Sequence, residues 1–193
     1  DLFTKKTQDF NMKQSFTRVI GLFVLPIIIM GAIKLSSQQG SIQGSASSSN
    51  GERFAVIATE FEIAISSVKN GSRTVDVSIP VKSITTENWM RDVHMKMSIF
   101  NKKFPQVEFS SSTAAEIKSG SLQLDGIMTI NGIQLPHTLN LSLDDLGQEF
   151  SVKGETKVSL EAYQIASPGM GPMKVNDLVQ MTFDVRIPSS DLQ

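Results

Sequence analysis

Through most of the chain after Arg53, apolar and polar residues alternate with a period of two. Three of the clearest apolar rows are Val75, Val77, Ile79 and Val81; Leu122, Leu124, Gly126, Met128 and Ile130; and Leu135, His137, Leu139, Leu141 and Leu143. Polar residues such as Asp76, Asp125 and Asn140 occupy the positions between them. Alternation of this kind is typical of antiparallel sheets that bury one face and expose the other to water.

Short turns separate the predicted strands, and Asn70-Gly71 and Asn131-Gly132 mark two of them. Strands joined by so few residues must be antiparallel, because a parallel return needs a dozen or more residues. About eight strands in series predict an all-β, antiparallel up-and-down β-barrel over residues 52–193, since closing the sheet removes its exposed edges. A slip in the alternation near Ile57 predicts a β-bulge.

One segment breaks the period of two. Trp89, Val93, Met97 and Phe100 recur at helical spacing within residues 87–101, which predicts a short helical insert across one open end of the barrel. Trp89 either plugs that end or forms part of a cavity wall, and the sequence favours the plug.

The predicted interior rows are bulky at their ends and small in the middle. Ala115, Gly126 and Gly154 are among the small residues, so they leave volume that either a ligand or neighbouring side chains must fill. A cavity is favoured over a solid core. The residues predicted to bind a ligand there are Trp89, Met97, Phe100, Phe109, Leu124, Met128, Phe150, Val152, Met181 and Phe183.

Residues 19–33 contain no charge, and Arg18 and Lys34 flank them. A cleaved signal peptide starting at Met12 is one interpretation, and an uncleaved transmembrane helix over 16–35 is the other. Because eleven residues precede Met12, the anchor is favoured. The basic residues before the run predict a cytoplasmic segment 1–15 and a domain on the periplasmic side of the inner membrane. Residues 36–51 are rich in Gly and Ser and are predicted to be a linker, whose middle, residues 41–44, could add a short edge strand.

The residues needed for common chemistries are missing from the sequence. There is no cysteine, and the two histidines, His94 and His137, lie on separate segments without metal-ligand spacing. No nucleophile motif occurs, so we expect neither catalysis nor a metal site nor a covalently bound cofactor. Residues 36–193 carry 13 basic and 17 acidic residues, a net charge of −4, which argues against nucleic-acid binding.

Several short segments follow one another in a recognisable order: residues 83–86 (SITT), 91–95 (RDVHM), 103–111 (KFPQVEFSS), 124–132 (LDGIMTING) and 175–179 (VNDLV). In their order and spacing these segments resemble the pattern of the YceI-like family of polyisoprenoid-binding proteins. The resemblance implies a lipocalin-like barrel with an elongated apolar cavity for an isoprenoid chain, in the periplasm or secreted.

Two functional hypotheses remain. In the first, the barrel binds an isoprenoid-tailed lipid, such as a polyprenyl carrier, a quinone or a carotenoid, without covalent attachment. In the second, it is a non-catalytic subunit docked through its helix and barrel on a larger membrane complex. Both include the membrane as a partner.

We predict that residues 16–35 hold the chain in the membrane with its N-terminus in the cytoplasm. The uncharged run between Arg18 and Lys34 provides the apolar length, and the flanking charges can reach the two interfaces. Membrane fractionation with alkaline extraction should leave the protein in the pellet. Mature protein that begins after Ala32 in soluble extracts would contradict this prediction.

Overall fold

A computed structural model describes residues 40–66, 68–98, 103–114, 117–166, 169–170 and 173–192. The predicted cytoplasmic segment 1–15 and spanning helix 16–35 lie outside these residues, as do Phe100 and Ala115. In the part of the chain that is described, no helix combines the length and the apolar character needed to cross a membrane.

The described residues form twelve strands and one α-helix. The strands are β1 (Gly40–Ser47), β2 (Arg53–Ala58), β3 (Glu62–Ile65), β4 (Ser72–Pro80), β5 (Ile84–Thr85), β6 (Gln106–Ala114), β7 (Gly120–Ile130), β8 (Ile133–Asp145), β9 (Glu149–Ser159), β10 (Gly169–Met170), β11 (Met173–Lys174) and β12 (Leu178–Pro188), and the helix α1 is Trp89–Ser98. Short 3₁₀ turns cover Val81–Ser83 and Ser189–Leu192.

Ten of these strands form one antiparallel sheet in the order β3-β4-β6-β7-β8-β9-β12-β1-β2-β5, and β10 and β11 form a separate ribbon. The prediction of an all-β antiparallel sheet with one short helical insert is confirmed, and the curled sheet is consistent with a lipocalin-like barrel. The predicted number of about eight strands is too low. The short strands β3 and β5 carry too few residues to give a clear alternation.

Two expectations near the start of the domain need correction. Residues 40–47 are not linker but strand β1, which is longer than the short edge strand considered at 41–44 and is not at an edge, because it pairs with β12 on one side and with β2 on the other. The Gly/Ser composition obscured its length, because Gly44 and Ala46 give little apolar signal at the buried positions. The slip near Ile57 is a break between two strands, since β2 ends at Ala58 and β3 starts at Glu62.

The link between β2 and β3 requires the sheet to curl. These strands lie near opposite ends of the strand order, yet only residues 59–61 separate them. A step from Ala58 to Glu62 spans at most about 14 Å of extended chain, so the two sides of the sheet must approach each other here. The Thr59 amide donates to the Ser83 carbonyl at 3.0 Å, which fixes the corner to the 3₁₀ turn.

Inside the curl, buried side chains form two clusters. The first contains Ile42, Ile79, Phe150, Val152, Val185 and Ile187, and the second contains Phe109, Leu124, Met128, Leu139, Val158 and Ile165. Met181 and Phe183 pack against both clusters. Burial of these apolar side chains is the main source of the fold's stability, at about 25 cal/mol per Å².

A polar pair lies among these apolar residues. His137 on β8 follows the same alternation as buried Leu139, and its Nε2 lies 2.8 Å from the Thr156 hydroxyl on β9. Desolvation of the half-buried ring lowers the pKa of His137 below its ordinary value of 6.5. The folded domain therefore holds this imidazole neutral at a pH where the unfolded chain takes up a proton.

We expect the free energy of unfolding to fall as the pH drops below about 7. The unfolded state binds the His137 proton near pH 6.5 and the folded state only at lower pH, so stability is lost through this window and levels off below the folded pKa. His137→Asn keeps a polar partner for Thr156 and should flatten the profile measured by denaturant unfolding between about pH 5 and 7. An unchanged slope in this variant would contradict the prediction.

Candidate functional site

An apolar cavity of about 420 Å³ lies within the curled sheet. Its apolar walls include Val56, Ala58, Val77, Ile79, Val107, Phe109, Met128, Ile130, Leu139, Val158, Val179, Met181 and Phe183. The volume falls within the range of small-molecule binding pockets, which are mostly apolar with a few polar groups that set orientation.

Strand β1 brings two small residues to or near the cavity. Buried Ala46 lines it directly, and Gly44 faces Met181 across the pairing of β1 with β12. A Cβ built on Gly44 would lie 2.9 Å from the Met181 sulfur, so the glycine is what allows that side chain to approach. Strand β1, which lies in the predicted linker, therefore forms part of the cavity wall.

Gly126 and Gly154 do not provide the room expected of them. A Cβ on Gly126 would lie 2.3 Å from the Ser110 carbonyl oxygen, and one on Gly154 would lie 2.6 Å from the Asn140 carbonyl oxygen. Both positions are close approaches between neighbouring strands, and the Phe109 ring already covers Gly126. A larger residue at either position would collide with backbone rather than fill a void.

Polar side chains mark the mouth of the cavity. Glu52, Asn88 and Lys174 are exposed members of its lining, and Arg91 joins them from α1. The Arg91 guanidinium donates to the Glu52 carboxylate at 3.3 Å and lies 4.1 Å from the centroid of the Phe54 ring. The cavity thus combines an apolar interior with a rim of mixed charge, an arrangement that suits a ligand with an apolar tail and a polar head.

Helix α1 is fixed beside the mouth by Asn88 and Asp92. The Asn88 side chain caps the helix by accepting a hydrogen bond from the Arg91 amide at 3.1 Å. Asp92 accepts from the Thr85 hydroxyl, the Thr86 amide and the Thr86 hydroxyl, each at 2.6 Å. Partial burial alone would raise the pKa of Asp92, but these hydrogen bonds outweigh it and hold the pKa below its usual range.

This tether directs His94 and Met95 toward the cavity, with Arg91 at its rim. The opposite face of the helix points into solvent. Trp89 is 74% exposed and Met97 is 76% exposed, and neither lines the cavity, so the structure differs from the prediction that they bind ligand. The helical spacing correctly grouped them on one face, but it could not tell which way that face points.

The other predicted site residues divide into two groups. Phe109, Met128, Met181 and Phe183 line the cavity. Leu124, Phe150 and Val152 are buried in the core but do not line it. Phe150 and Val152 lie on the early part of β9, at the filled end of the curl, and Leu124 packs within the cluster that contains Phe109. Phe100 lies outside the described residues.

Sequence reasoning missed the contributions of β1, β2 and the inner face of α1. Ala46, Phe54 and Met95 all line the cavity. An available signal was the row Ile42, Gly44 and Ala46, which alternates with Gln43 and Ser45 in the segment assigned as linker. Among the residues that the structure describes, no group of three or more His, Asp or Glu side chains is placed to hold a metal ion.

A curled antiparallel sheet around an apolar cavity, with a helix beside the mouth, defines a barrel fold of the lipocalin-like kind. A model of the YceI-like domain family matches residues 32–187. The chain belongs to this family, as its motifs indicated.

Protein YceI of Salmonella arizonae and Protein YceI of Salmonella newport are each 32% identical to it over 106 residues, which cover 51% of this chain and 54% of the relative. The chain therefore spans about half the length of the curated relatives it matches.

Solved structures show the same fold at low sequence identity. A polyisoprenoid binding domain from Saccharophagus degradans, implicated in plant cell wall breakdown, aligns with a TM-score of 0.66 at 12% identity and covers 81% of this chain and 97% of that domain. BcnA of Burkholderia cenocepacia aligns with a TM-score of 0.64 at 17% identity and covers 78% of this chain and 97% of BcnA. These similarities establish the fold.

We expect Asp92→Asn to release α1 from the mouth. The change removes a charged acceptor of three hydrogen bonds and should lower the free energy of unfolding by about 1.5–3 kcal/mol. Hydrogen exchange of the α1 amides should accelerate. Because the folded pKa of Asp92 is depressed, the tether is complete above about pH 4 and weakens as the pH falls through the folded value.

Asp125→Asn is the matched control, because Asp125 is an exposed carboxylate that also accepts hydrogen bonds, from Thr138 and Gln123. Its replacement should leave exchange in α1 unchanged. Equal acceleration in both variants, or full protection of α1 in Asp92→Asn, would show that Asp92 does not hold the helix.

Proposed function

We propose that this chain binds an isoprenoid-tailed lipid in its cavity, with the tail among the apolar walls and the head group at the mouth. The main support for this proposal is the apolar cavity of about 420 Å³, which ends in a polar rim. Burying an apolar tail there would supply binding free energy in proportion to the area removed from water, at about 25 cal/mol per Å².

Two further observations support an isoprenoid as the ligand. The polyisoprenoid binding domain of Saccharophagus degradans has the same fold. In addition, the walls are built from Val, Ile, Leu, Met and Phe side chains, which offer branched apolar contacts and few fixed hydrogen-bonding groups. Such a surface selects a ligand by its length and its apolar character more than by polar recognition.

We expect binding without turnover. The sequence contains no cysteine, its two histidines lie on different elements, and it has no nucleophile motif. Arg91 and Glu52 pair with each other, an arrangement that orients a head group rather than activating one.

We expect the domain to lie on the extracytoplasmic side of the inner membrane, tethered by residues 16–35. The uncharged run over 19–33 and the basic residues before it support this location. A barrel beside the membrane would exchange lipid with it over a short distance.

Ala46→Leu tests the function by filling the cavity from β1. Three added carbon atoms should compete with the ligand and weaken binding of geranylgeraniol by roughly ten- to hundredfold, since overpacking a filled site costs about 1–3 kcal/mol. Without ligand the fold should persist, because the added atoms enter a void. Fluorescence competition would measure affinity, and mass spectrometry of organic extracts would identify co-purified lipid.

Ala55→Leu is the matched control, because Ala55 lies on β2 and alternates with the cavity-lining residues Phe54 and Val56. It should leave binding unchanged. Unfolding of Ala46→Leu together with the absence of isoprenoid from the wild-type protein would overturn the proposal. A folded wild-type protein that binds no isoprenoid would instead favour the role of a docked subunit in a membrane complex.

A further inference from the structure

The cavity occupies only the part of the curled sheet that lies nearer to α1. Along β12, Phe183 lines the cavity, whereas Val185, the next inward residue of the same row, is buried without lining it. Strand β8 shows the same change, because Leu139 lines the cavity and Leu143 is buried without lining it. The cavity therefore ends partway along the strands.

Packed side chains close the cavity at this depth. Val185 pairs with Val152 across β12 and β9, and Val152 pairs with Leu143 across β9 and β8, so these three buried residues form a continuous row, the cavity floor. A second row lies beyond the floor, since Ile187 and Phe150 are also partners and are also buried. Because protein cores are close-packed, a ligand that enters at the mouth cannot pass the floor without displacing core side chains.

The closed volume limits how much of a ligand the cavity can hold. An apolar protein cavity of about 150 Å³ holds one benzene molecule, of six carbons, so about 420 Å³ has room for roughly seventeen carbons at the same density. An isoprene unit contributes five carbons. The cavity is therefore filled by a tail of about three to four isoprene units.

We infer that the cavity is specific for a short isoprenoid tail, of about three to four isoprene units, and that the floor sets this limit. With the head group at the mouth, a longer tail would leave its remaining units outside the rim, where they stay in water and gain no apolar burial. The inference rests on the proposed function, because it specifies the length of the tail that the cavity binds.

The rim indicates which head group suits a test. The charged residues of the cavity lining are two acids, Glu52 and Glu108, and two bases, Arg91 and Lys174, and Glu52 pairs with Arg91 at 3.3 Å. These charges balance, so an uncharged head group fits the mouth. Isoprenoid alcohols are therefore suitable probes, and geraniol, farnesol, geranylgeraniol and solanesol carry two, three, four and nine isoprene units.

Fluorescence competition on the full chain should show an affinity that rises with tail length only up to the limit. Farnesol should bind at least about tenfold more tightly than geraniol, because one more isoprene unit is buried. Solanesol should bind no more than about threefold more tightly than geranylgeraniol, because its additional units find no space in the cavity.

Two substitutions beside the floor should move the limit in opposite directions. Val77 and Phe183 line the cavity and pack against both core clusters, which places them at its deep end. Val77→Phe adds four carbons there and should weaken geranylgeraniol binding about tenfold, while geraniol binding changes by less than about twofold. Phe183→Val removes four carbons and should strengthen geranylgeraniol binding about fivefold, again with little effect on geraniol.

Val179→Phe is the matched control. Val179 also lines the cavity, but it is the first inward residue of β12 and follows the rim residue Lys174 by five positions. Its replacement should weaken the binding of all four alcohols by a similar factor. Comparing each variant with the wild type for the same alcohol removes differences in solubility among the alcohols. Thermal unfolding would show that each variant folds, and either of the two deep variants alone tests the limit.

Solanesol that binds at least about tenfold more tightly than geranylgeraniol would overturn the inference and leave the proposed function intact. Equal effects of Val77→Phe on geraniol and on geranylgeraniol would also overturn it, because the tail would then not be limited by the floor. If none of the four alcohols binds to the folded wild-type protein, the proposed function fails and the inference fails with it.

Discussion

The three-residue link between β2 and β3 is the constraint on which the rest of the domain depends. Because residues 59–61 join strands from opposite ends of the strand order, the sheet has to bend until those ends approach. Ser83 holds the corner in place, with its hydroxyl within hydrogen-bond distance of the Glu60 and Pro80 carbonyl oxygens. Once the sheet is curled, its inward side chains face one another across the interior, and the volume of those side chains decides whether space remains.

That volume is distributed unevenly along the curl. Phe150, Val152, Val185 and Ile187 fill one end, whereas the small side chain of Ala46 borders the cavity at the other end, beside α1. Three residues of helix α1 have three different surroundings. Asp92 ties it to the strand end, Met95 faces the cavity, and Trp89 faces solvent. Access of a ligand to the cavity would thus depend on the orientation of one short helix, which the Asp92 carboxylate helps to fix.

The sequence predicted the sheet better than it predicted the site. Long alternating rows such as those of β7 and β8 indicated the strands and their antiparallel pairing, because burial of one face imposes that pattern directly. Four predicted site residues, Phe109, Met128, Met181 and Phe183, do line the cavity. The errors share a cause, because a small residue in a strand can either allow two strands to pack closely or border a cavity. Gly126 and Gly154 looked like space and are close strand contacts, whereas Ala46 looked like linker and lines the cavity.

The pairing of β1 with β12 has a consequence for how this domain is made. Gly40 and Val185 are partners in the sheet although they lie 145 positions apart along the chain. Contacts between such distant residues form late in folding, because the entropy of closing the intervening loop must be overcome before the pairing stabilises anything. During synthesis, β1 leaves the ribosome first among the described strands and cannot pair with β12 until that strand has been made. The cavity wall that contains Ala46 is therefore completed only when the whole domain has been made. A chain that ends before β12 would not form the cavity.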